Sequence, residues 1–134
     1  TYLGLTVEGF PNMFVITGPG SPSVKSNMIL SIEQHVDWIA RCLEHMRSHH
    51  LEIIDTDQTA ETQWVQHVND VAAPTLYVKT NSWYSGANVP GKPRVFMPYV
   101  AKIGVYRREC QSAADQGYVG FKLSKAPVMA GTAT

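Results

Sequence analysis

The most regular stretch of this sequence lies at residues 26–46 and reads SNMILSIEQHVDWIARCLEHM. Its apolar side chains recur at alternating steps of three and four residues, at Ile29, Ile32, Val36, Ile39, Leu43 and Met46. Because an α-helix has about 3.6 residues per turn, this spacing places them on one face of a helix. Ser26 and Asn27 are residue types that cap helix N-termini. The stretch therefore predicts a long helix that begins near residue 26 and buries one apolar face.

The residues before this helix predict a strand and a loop. Residues 13–17 read MFVIT, a continuous apolar run that is typical of a strand buried on both faces. Residues 18–24 contain two Gly, two Pro and two Ser and predict a loop. A strand, a loop and a helix N-terminus in this order can bind negative charge, because the first helical N–H groups lack intrahelical partners. A tight connection without a ligand explains the same spacing, so both interpretations stay open.

The same loop begins like a dinucleotide-binding fingerprint but does not complete it. The sequence GPGSPS at 18–23 lacks the third glycine of that fingerprint. Pro22 also removes an N–H group from a loop that would have to offer N–H groups to phosphate. We therefore reject residues 18–23 as a phosphate cradle.

Further helices and strands are predicted after residue 50. They are a strand at 51–55, a helix from Asp57 or Thr59 to Pro74, an extended segment at 94–99, a helix at 101–116 and a strand at 118–123. Gly117 is placed to end the third helix. Together the elements predict an α/β fold with three helices and a few short strands. Residues 125–134, rich in Ala, Gly and Thr, are expected to form a flexible tail.

Composition argues against several classes of function. The 134 residues include 11 basic and 11 acidic side chains, so nucleic acid is not an expected partner. No signal peptide and no apolar run of about 18–20 residues is present, and a membrane partner is not expected either. Cys42 and Cys110 lack a CxxC spacing and are expected to be reduced cytoplasmic thiols. His45 and His49 have the spacing of metal ligands, but no third ligand is evident, and we expect no metal.

The long loop at 79–94 is a second candidate for function. It contains Trp83 and Tyr84, and large aromatic side chains on loops are often contact residues. Trp83 could equally fix the loop to the core, and the sequence leaves both interpretations open.

Several segments, taken in order, resemble the C-terminal third of Baeyer–Villiger monooxygenases. They read GFPNMF at 9–14, GPGSPS at 18–23, SNM at 26–28, SIEQHV at 31–36, WYSGANVPGKPRVFM at 83–97, and GY and GF at 117–118 and 120–121. The resemblance covers roughly residues 1–123. It implies that residues 1–124 are the C-terminal portion of an FAD-binding domain that belongs to a flavoprotein with two dinucleotide-binding domains.

The resemblance also implies an activity and a set of contacts. Members of the family use FAD, NADPH and O₂ to convert a ketone into an ester or lactone. The helix N-terminus at Asn27 and Met28 would face the flavin, with the Met28 N–H as the contact. Trp83 would lie on a mobile loop, residues 79–94, that closes over NADP. The residues implied to line the ketone pocket are Ser23, Val24, Lys25 and Met97.

The family's phosphate-binding glycines and its catalytic residues have no counterpart in this sequence. We therefore expect no catalytic residue in this segment, and we expect N-terminal FAD and NADP domains as its missing partners. Alone, the 134 residues are expected to be inactive. Two other interpretations remain: a segment of a flavin monooxygenase that acts on nitrogen or sulfur, and a truncated, non-catalytic remnant.

Two departures from the family pattern affect the implied pocket. Lys25 stands where an apolar residue is usual, and a buried ammonium needs a partner or a route to solvent. Ala101 and Lys102 replace a Gly-Gly step. Both departures leave the preferred ketone open, and we hypothesise that Lys25 narrows or polarises the pocket.

Overall fold

The computed structural model describes residues 1–79, 83–86, 90–91 and 95–126. Within these residues the chain forms three α-helices and a two-stranded sheet, together with short 3₁₀ turns at Leu76–Lys79 and Trp83–Ser85. In chain order the main elements are α1 (Met28–Ser48), β1 (Ile53–Thr56), α2 (Gln58–Ala72), α3 (Ile103–Asp115) and β2 (Phe121–Ser124). The predicted α/β class with three helices is confirmed. Residues 127–134 of the predicted tail and parts of the 79–94 loop lie outside the described residues.

Helix α1 begins where the sequence predicts. The side-chain oxygen of Asn27 accepts a hydrogen bond from the Ile29 N–H at 2.9 Å, which makes Asn27 the N-cap. The helix packs on α3 through Trp38, whose indole N–H donates to the carbonyl oxygen of Cys110 at 2.9 Å. Local chemistry therefore sets the start of α1, and an aromatic side chain sets its orientation.

The face that α1 buries differs from the predicted one. Its buried residues are Ser31, Gln34, His35, Trp38, Cys42 and Met46. The predicted seam is mostly exposed, with exposed fractions of 64 % for Ile29, 38 % for Ile32, 46 % for Val36 and 50 % for Leu43. The two faces lie side by side, about 100° apart around the helix axis. The described part of the chain provides packing partners mainly for the face that carries Trp38, so burial of the seam by missing domains stays a prediction.

The strand predicted at residues 13–17 does not form. The Val15 N–H donates to the Leu5 carbonyl oxygen at 2.7 Å, but the described residues offer no neighbouring strand to continue a ladder. Met13 and Ile16 are exposed. This prediction was wrong, because an apolar run becomes a strand only where a partner strand is available.

Strands β1 and β2 pair antiparallel, with Ile54 opposite Leu123. Asn12 holds the outer side of β1: its amide N–H donates to the Glu52 carbonyl oxygen at 3.0 Å, and its amide oxygen accepts from the Ile54 N–H at 2.9 Å. Asp57 then caps α2 by accepting from the backbone N–H groups of its first turn. The predicted strands and the Asp57 cap are confirmed, with boundaries shifted by a few residues.

Aromatic rings form the centre of the core. The rings of Trp64 and Tyr99 stack with their centroids 5.3 Å apart, and Tyr106 lies beside both. This cluster joins α2 and α3 to the segment that contains Tyr99. The core therefore fixes residues 97–100 against the loop that precedes α1.

None of the described helices has the length and apolarity that crossing a bilayer requires.

Candidate functional site

A groove of about 430 Å³ lies at the N-terminus of α1. Its walls come from the loop before α1 together with the first residue of that helix, from Tyr84 in the second 3₁₀ turn, and from the segment before α3. The lining residues are Thr17, Gly18, Pro19, Ser21, Ser23, Met28, Tyr84, Met97 and Pro98. Three segments far apart in the sequence therefore share one concave surface.

Backbone hydrogen bonds hold these three segments together. The Gly20 N–H donates to the Met97 carbonyl oxygen at 2.6 Å, and the Tyr99 N–H donates to the Ser21 carbonyl oxygen at 3.0 Å. The Met97 N–H donates to the Tyr84 carbonyl oxygen at 3.1 Å. Because backbone groups form these contacts, the shape of the groove depends on the path of the chain more than on individual side chains.

The end of α1 that faces the groove carries partial positive charge. Asn27 satisfies the Ile29 N–H, but the Met28 N–H has no hydrogen-bond acceptor among the described residues. Unpaired N–H groups and the helix dipole together favour an anion or an electron-rich edge. Met28 lines the groove, so the groove includes one end of α1 that is suited to negative charge.

Thr17 has an unusual backbone conformation at the edge of the groove. Its φ angle is 55°, in the left-handed region that β-branched residues rarely adopt. Its N–H donates to Nδ1 of His35 at 2.9 Å. Burial lowers the pKa of His35 to about 4, so the ring is neutral at pH 7 and able to accept this bond.

The structure brings together some of the predicted site residues and separates others. Ser23, Met28 and Met97 line the groove, and Asn27 caps the helix that ends there. The predicted contact roles of these residues remain predictions.

Two predicted pocket residues lie outside the groove lining. Val24 packs against the small cluster of Ala72, Phe96 and Val100. Lys25 is exposed, and its Nζ lies 5.4 Å from the centroid of the Tyr77 ring, a cation–π contact. The Lys25 ammonium thus contacts an aromatic ring and remains in solvent, so its charge is not buried.

Trp83 begins the second 3₁₀ turn, and its side chain lies outside the described part of the structure. Its predicted contact with NADP stays a prediction. The neighbouring Tyr84 lines the groove, so this part of the 79–94 loop does reach the candidate site.

Sequence reasoning missed several groove residues, chiefly Thr17 and Pro98. Composition identified the loop at 18–24, but no local signal indicates its parallel bridge between Pro22 and Tyr99. The separation of these residues along the chain makes such a contact invisible to spacing arguments.

The histidine pair on α1 has ring and hydrogen-bond contacts within its own helix. The His45 and His49 rings stack with their centroids 4.1 Å apart, and His49 Nδ1 lies 2.8 Å from the carbonyl oxygen of His45. Among the described residues, no group of three or more His, Cys, Asp or Glu side chains is placed to hold a metal ion.

Comparison with known proteins gives consistent results. Acetone monooxygenase (methyl acetate-forming) of Gordonia sp. strain TY-5 is 42 % identical over 125 residues, which cover 92 % of this chain and 24 % of the relative. Phenazine N-monooxygenase of Lysobacter antibioticus is 35 % identical, covering 95 % of this chain and 23 % of the relative. No protein-family model matches the chain.

Solved structures agree with these relatives. Cyclohexanone monooxygenase from Rhodococcus sp. Phi1 bound to NADP⁺ superposes with a TM-score of 0.87 at 36 % identity, covering 94 % of this chain and 23 % of that one. OTEMO in complex with FAD and NADP superposes with a TM-score of 0.81 at 30 % identity, covering 92 % and 22 %. The chain therefore spans about a quarter of the length of the proteins that it matches.

Proposed function

We propose that this chain, which is homologous to Baeyer–Villiger monooxygenases over about nine tenths of its length, is a segment of an FAD- and NADPH-dependent enzyme of that kind. The reaction proposed for the whole enzyme is insertion of one oxygen atom of O₂ into a ketone to give an ester or lactone. Residues 1–124 would be the C-terminal portion of its FAD-binding domain. The observation that carries the proposal is the groove at the N-terminus of α1.

One feature of the groove supports its proposed contact with the electron-rich edge of a flavin. Met28, whose N–H has no acceptor among the described residues, lines the groove at the positive end of α1. When bound, FAD would supply the activation of O₂ and accept electrons from NADPH. Asn27 would keep the first turn of α1 intact by holding the Ile29 N–H, which leaves the Met28 N–H free for the cofactor.

The other groove residues would orient the ketone beside the flavin. Ser23 offers a hydroxyl group, and Met97 offers a flexible apolar surface that adapts to substrate shape. Val24 and Lys25 would act from the adjoining wall. Trp83, on the loop that carries Tyr84, would contact NADP when that loop closes.

The exposed apolar seam of α1 supports the proposal that this chain is only part of a protein. Ile29, Ile32, Val36 and Leu43 form a continuous apolar stripe, and stripes of this kind usually mark an interface. We propose that the N-terminal FAD and NADP domains cover it. The 134 residues alone would then be inactive, because they lack a means to hold the cofactor phosphates.

We also propose a cytoplasmic location. Cys42 and Cys110 are both buried as free thiols, as is usual in a reducing compartment.

Phenazine N-monooxygenase supports a second candidate, oxygenation of an aromatic nitrogen. The two candidates differ in product, since a ketone gives an ester with one added oxygen whereas a heteroaromatic amine gives an N-oxide. The groove has apolar and hydroxyl-bearing residues in its lining, which suit either substrate.

The proposal predicts that the gene encodes a longer protein, which sequencing of the flanking DNA would identify. It is tested with that longer protein and with the 134-residue chain. Each is incubated with FAD, passed through a desalting column and measured for flavin absorbance, then supplied with NADPH, air and a panel of ketones or phenazines. We expect retained flavin and ester formation only for the longer protein. Ester formation by the short chain, or N-oxides alone from the longer protein, would contradict the proposal.

A further inference from the structure

His35 is a fully buried polar residue whose ring nitrogens both have partners. Nδ1 lies 2.9 Å from the backbone nitrogen of Thr17, and Nε2 lies 2.8 Å from the hydroxyl oxygen of Tyr106. The ring is 0 % exposed, and Tyr106 is also 0 % exposed. Both ring nitrogens are therefore engaged, and one of them contacts Thr17, a residue that lines the groove.

The direction of each hydrogen bond follows from its donor. A backbone N–H can only donate, so Nδ1 of His35 accepts from Thr17 and the ring proton must lie on Nε2. Nε2 then donates to the Tyr106 hydroxyl, which donates in turn to the Leu3 carbonyl oxygen at 2.5 Å. These three hydrogen bonds, here called the relay, all donate in the same direction, from Thr17 to Leu3. All three can form only when the His35 ring is neutral.

The Thr17 end of this relay lies at the groove. With φ at 55°, Thr17 has a backbone conformation that is strained for a residue with a branched Cβ. Thr17 and Gly18 both line the groove, and the Gly18 carbonyl oxygen accepts from the Ser21 hydroxyl at 2.7 Å. The backbone conformation of Thr17 thus sets the position of the groove wall that Thr17 and Gly18 form.

We propose that His35 is a positioning residue: by accepting the Thr17 N–H, it holds Thr17 and Gly18 in the conformation that gives the groove its shape for the cofactor and substrate. This proposal rests on the proposed function, since it takes the groove to be the flavin and ketone site. His35 itself does not line the groove, so it would act on a bound ligand only through Thr17 and Gly18.

The test compares two polar variants of similar size in the longer protein. In His35→Asn the side-chain oxygen stands near the position of Nδ1, so the acceptor for Thr17 is kept while the contact to Tyr106 is lost. In His35→Gln the amide stands near the position of Nε2, so the contact to Tyr106 is kept while the acceptor for Thr17 is lost. The measurements are the Kd for FAD, from quenching of flavin fluorescence, and the visible absorption spectrum of the bound flavin.

We expect His35→Gln to weaken FAD binding about tenfold and to shift the flavin spectrum, because a buried N–H loses its acceptor. His35→Asn should stay within about threefold of the parent protein. A second change, Thr17→Gly, should restore most of the affinity of His35→Gln, because glycine adopts positive φ without strain.

A purely structural role predicts a different pattern. Trp38→Phe removes the buried hydrogen bond from Trp38 to the Cys110 carbonyl oxygen on the same face of α1, and it should lower the melting temperature without a shift of the flavin spectrum. Equal losses of affinity in His35→Gln, His35→Asn and Trp38→Phe would overturn the proposal, as would a failure of Thr17→Gly to rescue. If the parent protein does not bind FAD, the proposed function fails instead, so the two failures are distinguishable.

Discussion

Burial of His35 couples the stability of the fold to pH. Its pKa is lowered to about 4 by burial, against about 6.5 for an exposed histidine. Between these values the unfolded chain binds a proton that the folded chain does not. The stabilisation is therefore complete above about pH 6.5 and is lost as the pH falls towards 4, by about 3 kcal/mol at most.

This pH dependence is measured by urea unfolding at pH 7.5, 6 and 5, and the control is His35→Asn, which has no titrating group at this position. Because His45, His49, His50 and His67 are unchanged in both proteins, the difference between the two curves reports His35. The parent should lose more stability than the variant on acidification. Parallel curves would show that His35 does not titrate in this range.

The two cysteines are predicted to be unreactive in the native protein. Burial raises the pKa of Cys42 to about 12 and that of Cys110 to about 11, and thiolate is the reactive species. Iodoacetamide at pH 8 should leave both unmodified until urea is added, as followed by peptide mass spectrometry. Val119→Cys, at an exposed position, is the control and should be labelled at once. Rapid native labelling of Cys42 would contradict the structure around α1.

At the scale of elements, the connection between α3 and β2 depends on two glycines with positive φ. Gly117 has φ at 74° with no atom within 4 Å of an added Cβ, whereas at Gly120, with φ at 88°, an added Cβ would lie 2.5 Å from the Tyr2 ring. Gly117→Ala should cost about 1 kcal/mol of unfolding free energy from backbone strain alone. Gly120→Ala should cost about 2–4 kcal/mol, because a clash adds to the same strain.

Urea unfolding of the two alanine variants compares them directly, and Gly117→Ala serves as the matched control for strain without a clash. Equal losses of stability would mean that Tyr2 moves aside freely. Tyr2 is held by a hydrogen bond from its hydroxyl to the Val119 carbonyl oxygen at 3.0 Å and by its contact with Phe121, so we expect it to resist.

Element boundaries were predictable from the sequence because local chemistry decides them. Asn27 and Asp57 accept from N–H groups two or three residues away, and Gly117 follows the end of α3 with a positive φ. The same reasoning failed for the strand at 13–17, whose existence depends on a partner strand rather than on its own residues.

The candidate site was predictable only in part. The positions of Ser23, Met28 and Met97 were named because a resemblance placed them together, and the structure does gather them around one groove. The left-handed Thr17 and its bond to His35 were not predictable, since neither spacing nor residue type signals that a threonine will adopt positive φ.

At the scale of the whole molecule, the α1 seam is the surface that most needs a covering partner. Its aliphatic side chains lie beside the buried face of the same helix, so α1 has apolar character over more than half of its circumference. A helix of this kind is typical of a position between two packed layers. This chain provides one layer, and the length of its relatives leaves room for the other.

The triple variant Ile32→Gln, Val36→Gln and Leu43→Gln tests this interpretation in two proteins. In the 134-residue chain it should reduce binding of the dye ANS and reduce self-association, because exposed apolar surface is removed. In the longer protein it should instead lower stability by several kcal/mol, since each buried aliphatic side chain contributes about 1.5–3 kcal/mol. Dye fluorescence, gel filtration and thermal unfolding measure these effects.

The two proteins should respond differently, because the short chain loses exposed apolar surface whereas the longer protein loses buried contacts and stability. This difference makes the test specific to a covered surface. A control triple variant, Val65→Gln, Leu76→Gln and Val119→Gln, changes three exposed apolar residues outside α1 and should alter neither protein by more than about 1 kcal/mol. A seam that faces solvent in the longer protein too would make both triple variants neutral there. That result would remove the physical reason for an interface on α1, while leaving the groove and its own tests untouched.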